Sequence, residues 1–279
     1  MRAPIRPQRA IILAAGFGSR LSDGQPVPKP LREVAEVPLI IRIIRGLEKG
    51  GIREIGIVIG YLGDDLMSGL LDHEHRAKLS FFLNDEYEKP NGTSLLKARD
   101  FVTGPTFLLM SDHLWSPDLL SAVGSCPVRE QQSALGVDSR IDACFDLDDA
   151  TKVRVQDGRI VRIGKHLKDY NALDTGLFLI TSALIDALDA VNGPEGCSLS
   201  EGVAALASKG RMLGVDVGDA TWIDVDTPEA HAEAERLISA LGEELEAPSH
   251  DAPEHSRVTG VWPRAGQDRA AAIKKARER

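Results

Sequence analysis

Short, nearly continuous apolar runs alternate in this chain with longer stretches whose apolar positions recur at helical spacing. Residues 9–15 form the first run, which reads as a buried strand and stops at Gly16-Phe17-Gly18-Ser19-Arg20, a glycine loop at a strand end. After the proline-rich Pro26-Val27-Pro28-Lys29-Pro30, a helical pattern covers 38–49 and a second strand covers 55–59. A helix at 63–72, a strand at 78–83, a helix at 94–101 and a strand at 106–110 continue the alternation. Repeated strand–helix–strand units predict an α/β fold, a mostly parallel sheet with helices on both faces.

The rhythm then changes. Residues 152–155 and 159–163 alternate apolar and polar positions around Asp157-Gly158, a pair that favours a type I′ turn, so a small antiparallel insertion is expected. Strands near 176–180 and 212–216 bracket a helical stretch at 199–207. A last helix should run from Pro228 to Leu241 with Thr227 as its N-cap. From Gly242 the apolar period is lost, prolines appear, and the charges run acidic first and basic last. One domain over 1–241 is expected, followed by a poorly ordered charged tail over 242–279, whose end, 268–279, has the makings of a short basic amphipathic helix.

Composition narrows the function classes. A chain of 279 residues with 43% apolar content can bury one substantial core. Three widely spaced cysteines supply neither a disulfide framework nor a zinc pattern. The net charge of −9 argues against nucleic acid as a partner, which demands a basic footprint, but leaves room for a small anion at a local basic site. No apolar stretch reaches the ~18–20 residues of a membrane span, and the start lacks the apolar region of a signal peptide. A cytoplasmic location is therefore expected.

Gly16 and Gly18 let the backbone turn sharply after a strand and bring N–H groups close to an anion. A dinucleotide fingerprint would place a third glycine where Leu21 stands and an acidic residue after the second strand; neither is present. An ATPase-type loop needs Gly-Lys before Ser or Thr, whereas Ser19 follows Gly18 directly. What singles this loop out is the pairing of Arg20 with Lys29, a lysine held between two prolines. Two cations beside a glycine turn neutralise a triphosphate, and the prolines restrict where Lys29 carries its charge.

Carboxylates supply the other half of the chemistry. Asp112 follows the strand at 106–110, and ligands of open parallel sheets sit at the carboxyl ends of strands. Asp224 and Asp226 are two apart and share a face if their segment is extended. Magnesium takes oxygen ligands, commonly one or two carboxylates with phosphate oxygens and water, so Asp112 and Asp226, with Asp224, are the candidate ligands. His113 is not assigned a proton-transfer role. A phosphomonoester is mostly a dianion at neutral pH, its second pKa being near ~6, so a phosphate attacking a phosphate needs positioning and charge neutralisation, not a base.

The run Leu13-Ala14-Ala15-Gly16-Phe17-Gly18-Ser19-Arg20-Leu21, followed by Pro28-Lys29-Pro30-Leu31, resembles the signature of nucleotidyltransferases that activate sugar phosphates and phosphocholine. Later segments resemble the CTP:inositol-1-phosphate cytidylyltransferases within that superfamily. These are Asn91-Gly92-Thr93-Ser94, Met110-Ser111-Asp112-His113, Ala150-Thr151-Lys152-Val153, Ile163-Gly164-Lys165, Asp174-Thr175-Gly176, Leu199-Ser200-Glu201 and Trp222-Ile223-Asp224-Val225-Asp226. The resemblance implies a Rossmann-like nucleotidyltransferase core with Mg2+ as cofactor and conversion of CTP and inositol 1-phosphate to CDP-inositol and pyrophosphate. It further implies that Leu13, Ala14, Ala15, Gly16, Gly18 and Ser19 line the triphosphate with Arg20 and Lys29, and that Gly60, Asn91, Gly92, Thr93 and Ser94 face the base and ribose. Lys165, Asp174, Gly176 and Glu201 would face the phosphorylated alcohol.

In this family the domain is often fused to a membrane-embedded alcohol phosphotransferase. No membrane helices follow in this sequence, so a separate protein is expected to carry out that step; a homodimer is left open. Competing readings are a phosphocholine or 2-aminoethylphosphonate cytidylyltransferase, a hexose-1-phosphate nucleotidyltransferase, and a noncatalytic nucleotide-binding subunit.

Overall fold

The computed structural model describes residues 7–18, 27–241 and 258–261. Its first strand, β1 (Arg9–Ala14), shows why the opening apolar run is continuous. Ala10, Ile12 and Ala14 pack into one core layer while Ile11, Leu13 and Ala15 pack into another, so both faces of the strand are covered. Next come β2 (Glu33–Val34) and β3 (Val37–Pro38), a small ribbon, then α1 (Leu39–Lys49), β4 (Glu54–Ile59), α2 (Gly63–Leu71), β5 (Lys78–Leu83), α3 (Asn91–Lys97) and β6 (Thr106–Met110). β4 and β6 flank β1 in parallel, and β5 adds to β4 in parallel.

The second half comprises β7 (His113–Trp115), α4 (Pro117–Gly124), β8 (Ser133–Asp138), β9 (Lys152–Gln156), β10 (Arg159–Gly164), β11 (Ala172–Ile180), α5 (Ser182–Val191), α6 (Leu199–Ala207), β12 (Met212–Asp216), β13 (Trp222–Asp224) and α7 (Pro228–Leu241). β11 runs antiparallel to both β6 and β8, and reverses the sheet. It also pairs with β9, while β8, β12, β10 and β9 follow one another, so five strands close a ring beside the parallel half. The expected antiparallel insertion is thus part of the main sheet. Its hairpin has the expected turn, with Asp157 at φ 49° and Gly158 at φ 69°.

One core layer joins the sheet to α1, α2 and α4, with Ile40, Ile44, Leu47, Leu66 and Leu119 fully buried. The other joins it to α3, α5 and α6 through Leu95, Leu184, Leu188 and Val203. Each such side chain contributes about 1.5–3 kcal/mol by leaving water. α7 closes a third, smaller cluster over Leu39, Leu114 and Ile223, and its Thr227 hydroxyl accepts the Ala230 N–H at 3.1 Å, the expected cap.

Several details differ from the reading of the pattern. The helix expected at 94–101 starts at Asn91 and ends at Lys97, with a separate 3-10 turn over Arg99–Phe101. Pro90 before Asn91 favours the early start. β8 and α5 were not anticipated. In the tail, Val258–Val261 pairs in parallel with β5, a β-prone stretch on an edge that offers unpaired backbone groups. The rest of 242–279, including 268–279, lies outside the described residues.

Candidate active site

The carboxyl ends of β1 and β6 lie side by side, tied by the Ser111 N–H donating to the Leu13 carbonyl at 3.1 Å. Lys29 begins a 3-10 turn between Pro28 and Pro30 and packs onto the glycine loop. Gly18 has φ +60°, and a Cβ there would lie 2.7 Å from the Lys29 Cβ, so only glycine allows this approach. Lys29 Nζ donates to Asp112 Oδ2 at 2.7 Å and lies 4.0 Å from Asp224 Oδ1. Arg20 and Ser19, expected beside it, lie outside the described residues.

β7 and β13 pair as a short ribbon that brings the two acidic segments together, with the Val225 N–H donating to the Asp112 carbonyl at 2.8 Å. Oxygens of Asp112 and Asp224 and a ring nitrogen of His113 lie within 4.8 Å of one another, as do oxygens of Asp149, Asp224 and Asp226. Asp224 is common to both groups. It ends β13, and Asp226 follows beyond the strand end instead of sharing an extended strand with it.

Electrostatics distinguishes the members of this cluster. Burial opposes ionisation of Asp112, but Lys29 and then His113 outweigh it and hold the carboxyl well below the usual range. Burial also lowers His113, yet Asp224 and Asp112 prevail and raise the imidazole to about 9. The His113 ring lies parallel to Trp222, 6° between planes, with Nδ1 3.0 Å from Asp112 Oδ1. Burial holds Asp224 up to about 6, helped by Asp112 and Asp226 against the pull of His113 and Lys29. Its Oδ1 is buried with no hydrogen-bond partner among the described residues. Asp224, with Asp112 in one group and Asp226 in the other, offers carboxylate oxygens of the kind that a hard divalent cation takes.

Two chambers meet at these side chains. The glycine-loop chamber, about 400 Å³, is lined by Leu13, Ala15, Gly16, Gly18, Lys29 and Asp112, and by Asn91 and Ser94 across from them. The hairpin chamber, about 430 Å³, is lined by Lys165, Asp174, Gly176, Asp138, Arg140 and Trp222. Asn91, Met110, His113 and Asp226 face both.

Not every expected residue points into a chamber. Ala14 belongs to the opposite core layer. Gly60 serves packing, since a Cβ there would meet Tyr87 Cβ at 2.6 Å and the Ala15 carbonyl at 2.8 Å. Gly92 lets α3 touch the Cys197 carbonyl, and the Thr93 hydroxyl accepts the Cys197 N–H at 3.3 Å, so these two residues bind helix to loop. Glu201 is placed away from both chambers: it completes a capping box at the start of α6, accepting the Ser198 N–H at 2.7 Å. Ser200 and Leu199 line the chamber in its stead.

Gly176 packs under the site, with φ +74° and a would-be Cβ 2.5 Å from His113 Cδ2. Asp174 accepts the Gly176 N–H at 2.8 Å, and burial pushes it up to about 6.

Sequence reasoning missed Lys89 and Tyr87 in the glycine-loop chamber, and Asp138, Arg140 and Asp149 in the other. Asp138 is held by bonds from Arg140 and from Trp222 Nε1 at 2.9 Å. Lys89 and Asp149 each adjoin a recognised segment, a usable signal; Asp138 and Arg140 sit where no pattern marked a strand.

Residues 10–140 match the model of the MobA-like NTP transferase domain. The chain is 35% identical to the bifunctional IPC transferase and DIPP synthase of Rubrobacter xylanophilus, over 82% of this chain and 51% of that protein. It is 30% identical to the CTP:phosphoglutamine cytidylyltransferase of Campylobacter jejuni, over 61% of this chain and 71% of that protein. The structure of the inositol-1-phosphate CTP transferase from T. maritima superposes with a TM-score of 0.76 at 28% identity, over 85% of this chain and 96% of that one. The chain spans about half the length of the bifunctional relatives it matches. The resemblance drawn from the motifs is borne out by these likenesses. Among the described residues no helix is long and apolar enough to cross a membrane.

Proposed function

Because this chain belongs to the MobA-like NTP transferases, we propose that it joins CTP to inositol 1-phosphate, giving CDP-inositol and pyrophosphate. The observation that carries the reading is the meeting of two chambers at Asp226 and His113, with Lys29 and Asp112 on one side and Asp224 on the other. CTP occupies the glycine-loop chamber, its phosphates against the Gly16–Gly18 turn and Lys29, and its sugar and base toward Asn91 and Ser94. The phosphorylated alcohol enters from the hairpin chamber. A phosphate oxygen of the alcohol attacks the α-phosphorus, the bond to the β-phosphate oxygen breaks, and pyrophosphate leaves. The attacking group is a dianion, so no proton must be removed.

Asp112, Asp224 and Asp226 would hold magnesium, which when bound supplies charge neutralisation for the phosphate oxygens. Lys29 adds a fixed positive charge on the leaving side and keeps Asp112 ionised. In the metal-free protein Asp224 and Asp112 raise His113 to about 9, so there it stands as a cation paired with them and not as a base.

Pyrophosphate release by the purified protein with magnesium tests this, crossing CTP, UTP, dTTP, ATP and GTP with inositol 1-phosphate, phosphocholine and glucose 1-phosphate. Release with CTP and inositol 1-phosphate alone is the expected result. Release with another pair keeps the chemistry and replaces the substrate, and no release with any pair overturns the enzymatic reading.

A further inference from the structure

The segment Ala150-Thr151-Lys152-Val153 has no part in the reaction as drawn, yet it borders the hairpin chamber. Lys152 opens β9 and is only 8% exposed. An ammonium so deeply placed is costly unless its protons are met. Two are met by backbone, the Leu147 carbonyl at 2.6 Å and the Asp148 carbonyl at 3.1 Å. Both acceptors belong to the loop immediately before Asp149. That loop carries Asp146, Asp148 and Asp149, like charges that repel one another. Lys152 therefore clamps the loop from beneath through its backbone. Lys165, just past β10, pairs directly with the Asp149 carboxylate. Asp149 is thus fixed at the chamber wall, with an oxygen within 4.8 Å of oxygens of Asp224 and Asp226.

We infer that Asp149 is a specificity-determining residue for the alcohol substrate, accepting a hydrogen bond from a hydroxyl close to the substrate's phosphate, and that Lys152 is its positioning residue. This rests on the function proposed above. Lys165 offsets the charge of Asp149, and the carboxylate keeps lone pairs that a substrate hydroxyl can meet.

Calorimetric titration of the full chain in magnesium, with inositol 1-phosphate and separately with CTP, tests the assignment. Asp149→Ala should weaken inositol 1-phosphate at least tenfold and leave CTP within about twofold. Lys152→Met should reproduce the alcohol-only loss. Equal weakening of both ligands in Lys152→Met marks a merely structural lysine and removes its positioning role. Undiminished binding of inositol 1-phosphate by Asp149→Ala overturns the specificity role while the proposed reaction stands. If the unaltered protein binds CTP and phosphocholine but not inositol 1-phosphate, the proposed substrate and this inference fall together.

Discussion

The parallel half of the sheet and the antiparallel half each contribute one chamber, and they hold their side chains differently. In the parallel half, Gly16, Gly18 and Asp112 sit at or near the ends of adjacent buried strands whose hydrogen bonds fix their spacing, and Lys29, on a turn beside them, is tied in by its bond to Asp112. In the antiparallel half, Asp138, Asp149, Lys165 and Asp174 come from strand ends and one long loop, and are fixed by ion pairs and side-chain bonds. The first construction rests mainly on the backbone of the sheet. The second is adjustable residue by residue, which suits the chamber proposed to receive the phosphorylated alcohol.

The difference can be broken most directly at its rigid end. Lys29→Ala or Asp112→Ala should cut pyrophosphate release about 10³-fold, at the upper end of what one electrostatic contact supplies, with circular dichroism unchanged. Retention of near-normal rates by either variant removes the site from the sheet ends.

Next in size is Gly176→Ala, which forces an L-residue into φ +74° and drives a methyl into His113. It should cost about 2 kcal/mol in urea unfolding and lower turnover, because the strain reaches the carboxylate cluster through His113.

A smaller effect is expected from pH. His113 rises from ~6.5 in the unfolded chain to about 9 in the folded, metal-free protein. Its pairing with Asp112 and Asp224 therefore contributes stability that is complete below ~6.5 and is lost as pH climbs through about 9. The gap in urea midpoint between the unaltered protein and His113→Gln should close over that window, and a gap that widens contradicts the pairing.

Smallest is Glu201→Ala, which should cost about 1 kcal/mol through its helix cap and leave the Michaelis constants of both substrates unchanged.

These contrasts follow how legible each half was. The alternation of buried strands and amphipathic helices through residue 110 was plain because β1 and β4 are covered on both faces and read as unbroken apolar runs. Asp112 was found because a strand end announced it. β8 escaped notice although Ser133–Asp138 is buried throughout, because Ser133 and Asp138 bound its apolar run to four residues and Gly136 interrupts it. With β8 unseen, Asp138 and Arg140 had no address. Glu201 was read as facing a substrate because its segment resembled a family motif, yet Ser198 three positions earlier spells the capping box that claims it. Gly92 and Thr93 misled in the same way: a segment was recognised as a unit, whereas on a helix neighbouring residues face different directions.

β11 joins the two halves, pairing with β9 near its start, with β6 along its end, and with β8 throughout. Its partners are distant in sequence, so its docking must await closure of long loops and belongs late in folding. Once docked, it makes the molecule one cooperative unit: amide protons of Leu177 and Leu179 should exchange with solvent only when the whole sheet opens, at the same rate as those of Ile12 in β1. A nascent chain that has not yet emerged past Ile180 therefore lacks the element that would bring its two chambers together.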